Sequence, residues 1–542
     1  MLTGASCHHH SSSTASVATY TLGGTIVGLT AGGLVLSYGN GSVAALQTVS
    51  PASGATSFVF PTAIANDTDY FISVQTEPTG LSCAVSFGAG IINSADVTSV
   101  VISCSLPWVW QSGEPIADAV GVYGTKGVAT ATNIPGGRAG AASWIDQSGN
   151  FWIFGGSGFD ATGSLVDFND LWEYSPTTLQ WTWVSGTSTS NAAGVYGTLG
   201  VAAAGNFPGA RVGATSWIDK AGNFWLFGGA LNNAATGVAS PFNDLWKFTP
   251  GTGLWTWVSG SNVQNGSGSY GTKGTAAPTN TPGARNGGGS WVDATGNFWL
   301  FGGAGYDAVG TLGDMNDLWE FSPSTGQWSW MSGSSTANAI GVYGTQGTPA
   351  AGNVPGGRVG SVSWLDPAGN FWVFGGEGLS SADVPGNLDD MWEYSLGSGQ
   401  WTWMAGFNAI NLAGVYGTEG IAAAGNVPGA RAAGVSWTDL AGNLWLFGGG
   451  GYSGTASNVG YLNDLWKFTP STGQWTWISG DNVANAIGVY SKIGAATGSL
   501  PGARDYAAAW IDASGNLWMF GGQGYDLDAN LGELNDLWEF PL

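Results

Sequence analysis

The chain has 542 residues, of which only 9% are charged while Gly (93) and Trp (30) abound, a composition that suits many short strands and tight turns rather than helices. A formal net charge of −23 excludes a nucleic-acid partner, because a polyanion would be repelled and no basic cluster offsets the repulsion. No run of about 18 apolar residues is present to cross a membrane as a helix.

The chain opens on Met1-Leu2-Thr3-Gly4-Ala5-Ser6-Cys7, followed by His8-His9-His10 and a serine run. This stretch resembles the end of a bacterial lipoprotein signal passing into a polar tether. The resemblance implies lipidation at Cys7, an extracytoplasmic protein secreted or anchored at the bacterial cell surface, and residues 1–19 as anchor and flexible linker. A lipid would then be the membrane contact, and the three histidines read as solvated linker.

From 20 to 105 short alternating runs are broken by turn residues: 20–29, 34–38, a turn at Asn40-Gly41, 57–60 and 70–76. They read as a small β-sandwich that acts as a spacer. The three cysteines all lie at or before position 104, and none has a Cys-x-x-Cys spacing, which removes zinc. Cys83 falls in the alternating run 81–87 and Cys104 directly follows the run 97–103, so a disulfide between neighbouring strands is predicted, with an oxidising compartment. Two buried free thiols are the alternative. The pattern resembles the Ig-like modules that stand behind the anchor in bacterial surface lipoproteins.

Beyond 105 the chain repeats. Trp-x-Trp pairs stand at Trp108/Trp110, Trp181/Trp183, Trp255/Trp257, Trp328/Trp330, Trp401/Trp403 and Trp475/Trp477, spaced by 73 or 74 residues. The same spacings separate Arg138, Arg211, Arg285, Arg358, Arg431 and Arg504, which are all the arginines in the chain. Each arginine opens an alternating run such as 138–146. A tight turn containing Gly-Asn follows, then Phe151-Trp152-Ile153-Phe154-Gly155-Gly156, a loop, Asn169 to Tyr174, a short turn and the Trp pair. Each unit is therefore predicted to be four antiparallel strands carrying five tryptophans. Six units account for all 30 only if Trp108 and Trp110 complete the last one, which ends without a pair of its own.

The double glycine after the second strand, followed by Tyr174, six residues and Trp181, resembles the signature of kelch-repeat β-propellers, and it recurs at Gly228, Gly302, Gly375, Gly448 and Gly521. The resemblance implies an all-β fold, a six-bladed kelch β-propeller over 106–542, with 106–113 supplying the fourth strand of the last blade. Closure of that kind leaves no sheet edge unpaired at the chain ends.

Long loops alternate with short turns, so one face, the upper, carries loops of twelve residues or more, where binding residues usually live. A repeated tyrosine there (Tyr123, Tyr196, Tyr270, Tyr343, Tyr416, Tyr490) either stacks on sugar rings or pins its loop to the blade. The six arginines start the inner strands, where kelch propellers that bind acidic peptides also place arginine, and so are ligand-binding candidates. Each blade also offers a partner at the same end, Asp170, Asp244, Asp317, Asp390, Asp464 or Asp536, which gives the competing reading of structural ion pairs.

Copper oxidases of the galactose oxidase-like superfamily need histidine and cysteine, and neither occurs after Cys104. An active site must break the sixfold symmetry, and four polar residues do so: Asn286 and Asp505 directly after an arginine, Glu377 and Gln523 directly after a double glycine. They are ligand-binding candidates, with Glu377 and Asp505 as the acid/base pair if the protein is a carbohydrate-active enzyme of sialidase, epimerase or lyase type. Asp160, Asp307 and Asp526, each following Gly-Phe or Gly-Tyr, are candidates for calcium; no other cofactor is expected. The expected function is a surface binding or adhesion protein whose upper face takes a glycan or protein ligand.

Overall fold

A computed structural model describes residues 17–39, 47–105, 107–160, 162–189, 191–232, 239–455, 457–495 and 498–542. Cys7, the three histidines, the Asn40-Gly41 turn and Leu106 lie outside them. Among the described residues every regular element is a β-strand. The chain divides into two compact units, Met1–Ser105 and Leu106–Leu542.

The first unit holds two four-stranded sheets and a short two-stranded pairing. In one sheet Val97–Ser105 lies between Leu22–Val27, to which it is parallel, and Ser82–Ser86, to which it is antiparallel. In the other, Val35–Gly39 pairs with Gln47–Val49 and Asp69–Thr76, and the latter with Ala89–Ile91. Leu22, Leu34, Leu36, Ile92, Val100 and Ile102 are fully buried in it. Cys104 stands directly opposite Cys83 in the antiparallel register, and the two are joined as a disulfide.

In the second unit the repeats form antiparallel four-stranded sheets, of which Ala142–Ile145, Phe151–Phe154, Leu171–Ser175 and Gln180–Ser185 are the first. Five more follow, two of them continuous with strands of the upper loops. The last consists of Ala508–Ile511, Leu517–Phe520, Leu537–Phe540 and, from the other end of the unit, Val109–Ser112, with Trp110 opposite Trp538. Each innermost strand neighbours the next, and Ala508–Ile511 returns to Ala142–Ile145, an arrangement consistent with a β-propeller.

The tryptophans make the seams. The indole N–H of Trp144 donates to the carbonyl of Trp217 at 3.0 Å, Trp217 to Trp299, Trp291 to Trp364, Trp364 to Trp445, Trp437 to Trp518, and Trp510 back to Trp144 at 2.8 Å. Buried indoles thereby gain the partner they need while their rings pack between sheets. Trp108, 1% exposed, packs on Trp437, Phe447 and Phe540, and so ties the closing strand to two sheets.

The run 138–146, expected as one strand, is two. Arg138–Ala139 pairs with Ser157–Phe159 in a separate upper sheet, and the chain bends at Gly140, whose φ of 66° is left-handed. The equivalent residues are Gly213, Gly287, Gly360, Ala433 and Tyr506, all left-handed. Their backbones form a closed ring: each N–H donates to the carbonyl of the preceding member, from Gly213 to Gly140 at 2.8 Å round to Gly140 to Tyr506 at 2.9 Å. Four of the six are glycine because only glycine takes this conformation without a steric cost. Ala433, at φ 57°, and Tyr506, at φ 50°, are the exceptions.

Candidate functional site

The upper ends of the sheets carry two kinds of site residue, six equivalent nodes and one unequal row. In every node an arginine grips an aspartate with both terminal nitrogens, as Arg358 does Asp390 at 2.8 Å to each oxygen, and its Nε donates to a glycine carbonyl two residues back. The pairs Arg138–Asp170, Arg211–Asp244, Arg285–Asp317, Arg431–Asp464 and Arg504–Asp536 repeat this, all with side chains 0% exposed. Into the same carboxylate come the phenol of the loop tyrosine and the indole N–H of the tryptophan two residues on, Tyr343 and Trp392 for Asp390. Burial works against the guanidinium charge, but the aspartate's charge and hydrogen bonds hold Arg358 above the ordinary arginine range. Burial and then the Asp390 charge push the Tyr343 hydroxyl far up, so it stays a donor.

These arginines present nothing to a ligand. Each is enclosed, and its donors are spent within its own repeat; the aspartate at the matching end removes the mutual repulsion an open ring would suffer. The repeated tyrosines hold their loops down through the same aspartates.

The unequal row lies where strands pair just above the nodes. Three residues stand side by side in each repeat: Ala139, Ser157, Asp167; Val212, Ala230, Pro241; Asn286, Ala304, Asp314; Val359, Glu377, Asn387; Ala432, Gly450, Tyr461; and Asp505, Gln523, Glu533. Only the sixth is polar throughout. Gln523 donates to Glu533 Oε1 at 3.1 Å and accepts the hydroxyl of Tyr461, from the fifth sheet, at 2.5 Å. Tyr461 in turn meets Tyr525 edge to face at 6.1 Å.

Two carboxylate oxygens in this row, Asp505 Oδ1 and Glu533 Oε2, are buried and accept no hydrogen bond. Burial raises Asp505 to about 7; burial, with the charges of Asp505 and Asp118 behind it, raises Glu533 to about 8. Near neutral pH the row therefore exchanges protons readily. Tyr506, 40% exposed, stands beside Asp505 at a small opening of about 170 Å³ whose rim includes Gly140, Gly287, Gly360 and Ala433. Its hydroxyl is pushed up to about 12 by burial and then by Asp505 and Glu377. A bulky side chain held left-handed costs about 1–2 kcal/mol, a strain often found at functional sites.

The structure thus brings Asp505 and Gln523 together and adds Glu533, Tyr461 and Tyr506. Asp505 acts on the carboxyl of Glu533, while Asp505 and Glu377 both act on the Tyr506 hydroxyl. Glu377 is exposed in the fourth sheet and acts on Asp314, which burial and then Glu377 raise to about 6. Asn286 belongs to the third row, away from Asp505. Glu533 follows neither an arginine nor a double glycine, so the positions that single out Asn286, Glu377, Asp505 and Gln523 do not reach it. The position three before each node aspartate, which runs Asp167, Pro241, Asp314, Asn387, Tyr461, Glu533, breaks the symmetry just as plainly.

Asp160, Asp307 and Asp526 each cap their own turn. Asp307 accepts from the N–H groups of Val309 and Thr311, and Asp526 from those of Asp528 and Asn530. The hydroxyl of Thr162 lowers Asp160, and backbone donors outweigh burial to hold Asp307 and Asp526 low. Among the described residues no three His, Cys, Asp or Glu side chains converge as a metal site.

No family model matches the chain, and no curated protein matches it. Among solved structures it is similar to the one titled "Structure of YjhT", at 17% identity and a TM-score of 0.43, over 77% of this chain and 95% of that one.

Proposed function

We propose that the chain is an extracytoplasmic binding protein, secreted or lipid-anchored through Cys7, in which an Ig-like sandwich is followed along the chain by a six-bladed kelch-type propeller. Its upper face binds a glycan at the row Asp505, Gln523 and Glu533. Six repeated sheets, a cyclic run of indole hydrogen bonds and a last sheet completed by Val109–Ser112 support the architecture. The disulfide and the net charge of −23 fit a protein of an oxidising, extracellular milieu.

One observation carries the site. Of six equivalent rows a single one is wholly polar, and it keeps two buried carboxylate oxygens without a donor. Protonatable carboxyls, an amide and a phenol can donate to and accept from sugar hydroxyls, and a half-exposed tyrosine offers a ring to a sugar face. The test is a glycan and peptide array probed with the full chain and with Gly450→Val. The backbone at Gly450 is not left-handed, and an added Cβ would meet only Asp505 Oδ2, at 3.4 Å. Valine there fills the site without strain. Glycan signals lost in the variant support the reading; signals unchanged by it, or confined to peptides, refute it.

A second reading, a carbohydrate-active enzyme, draws on the same coupled carboxyls, since groups that titrate near neutrality can pass a proton to and from a substrate. Conversion of an array-positive glycan, abolished by Asp505→Asn and Glu533→Gln, decides for it.

A further inference from the structure

The row differs from an ordinary sugar site in what it lacks. Glu533 is 4% exposed and its Oε1 is taken by Gln523, yet its Oε2 faces no donor, and neither does Oδ1 of Asp505 on the other side of Gln523. A buried acceptor without a partner is destabilising, more so when charged, so such a pair persists where something else supplies the donor. The amide of Gln523 cannot do so, because its position is fixed between Glu533 and the Tyr461 hydroxyl. The six arginines are committed to their own aspartates.

When both carboxyls are ionised the missing donor is external, and the surroundings select its charge. The charge of Asp505 bears on Glu533 as a like charge, and Asp118 adds to the effect. The rings at hand are the half-exposed Tyr506 and the crossed pair Tyr461 and Tyr525. Carboxylates backed by aromatic faces suit an ammonium group, which carries several N–H donors and is drawn to ring faces. A metal ion suits them less, since calcium takes roughly six to eight oxygen ligands and two are free here.

Building on the glycan reading, we propose that this site takes an amino sugar. The protonated amine sits between Asp505 Oδ1 and Glu533 Oε2, the ring lies on Tyr506, and the hydroxyls meet Gln523 and Tyr461. The neighbouring repeat crowds this place little, since it has glycine at 450 and a Cβ added there would meet only Asp505 Oδ2, at 3.4 Å.

The full chain is titrated calorimetrically with a fully deacetylated chitosan hexamer and with the same hexamer N-acetylated, which keeps the sugar and removes the charge. The deacetylated form should bind roughly ten- to a hundredfold tighter, the worth of a hydrogen-bonded charge. Gly450→Val and Asp505→Asn should each erase that preference. Equal binding of both hexamers overturns the amine assignment and leaves the glycan reading standing. A preference that survives Gly450→Val comes from the overall negative charge and overturns it too, as does trilysine binding as tightly as the chitosan hexamer. Failure of both hexamers to bind overturns the amino sugar, whereas the glycan reading falls only if the array is blank as well.

Discussion

Tyr343 donates its phenol hydrogen to Oδ2 of Asp390, 47 residues further along the chain, at 2.6 Å, and Arg358 holds the same carboxylate with both terminal nitrogens. A loop, an inner strand and the start of the third strand thus meet on one buried charge.

Removing the arginine should be far worse than removing the phenol. Arg358→Ala leaves Asp390 as an uncompensated buried charge and should cost about 3–5 kcal/mol. Tyr343→Phe gives up one hydrogen bond to a charged group, about 1–3 kcal/mol. Denaturant unfolding of both variants checks the order, and equal or reversed losses would show that the node does not rest on the ion pair.

The closing strand predicts a second result. Trp108→Ala removes a ring wedged against Trp437, Phe447 and Phe540 and should cost about 3–5 kcal/mol. Loosening Val109–Ser112 also bares Leu537–Phe540 as an unpaired edge, which favours association. Size-exclusion chromatography of the variant should reveal oligomers; a monomer with wild-type stability would contradict the closure.

Asp389 predicts a pH effect. The equivalent Asn169, Asn316, Asn463 and Asn535 donate through Nδ2 to a proline carbonyl, as Asn316 does to Pro355 at 3.0 Å, but Asp389 has a buried Oδ2 without a partner. Burial, then the charge of Asp390, raises it to about 7, while the N–H of Phe407 pulls the other way. The folded state therefore holds this proton more tightly than the unfolded chain. The stability it confers is complete below about pH 4 and is lost as pH rises to about 7 and beyond, on the order of 2–4 kcal/mol. Asp389→Asn restores the donor, so it should match the wild type at acid pH and exceed it at pH 8. A difference that does not change with pH would rule this out.

The disulfide predicts a result confined to the first unit. Unreduced peptide mapping should find Cys83 linked to Cys104, and Cys83→Ala with Cys104→Ala should lower stability by about 3 kcal/mol, given the 21-residue separation. Both cysteines alkylated without reduction would refute it.

How much of this is legible beforehand depends on repetition. The Trp-x-Trp spacing places Val109–Ser112 in the last sheet although its neighbour Leu537–Phe540 lies more than 400 residues away, because six copies make one missing strand conspicuous. The partner of each arginine is legible for the same reason. What repetition hides is a single odd residue. Glu533 stands where other repeats have Asp, Pro, Asn or Tyr, and only strand register shows it beside Gln523 and Asp505. Tyr506 reads as one more variable position until its left-handed backbone identifies it as a member of a ring otherwise made mostly of glycine. The alternation in 138–146 likewise says nothing of the bend at Gly140, since φ is invisible to a hydrophobic pattern.

That ring of six backbone hydrogen bonds has no first member. Its bonds run from one repeat to the next, so none depends on where the polypeptide begins or ends. The chain could be opened at any short turn such as Asp146 to Asn150 and rejoined elsewhere, and the circle would re-form from the same groups. The order in which the repeats are joined thus leaves this circle unchanged, and matters only at the last sheet, where Trp108 and Trp110 must find their place.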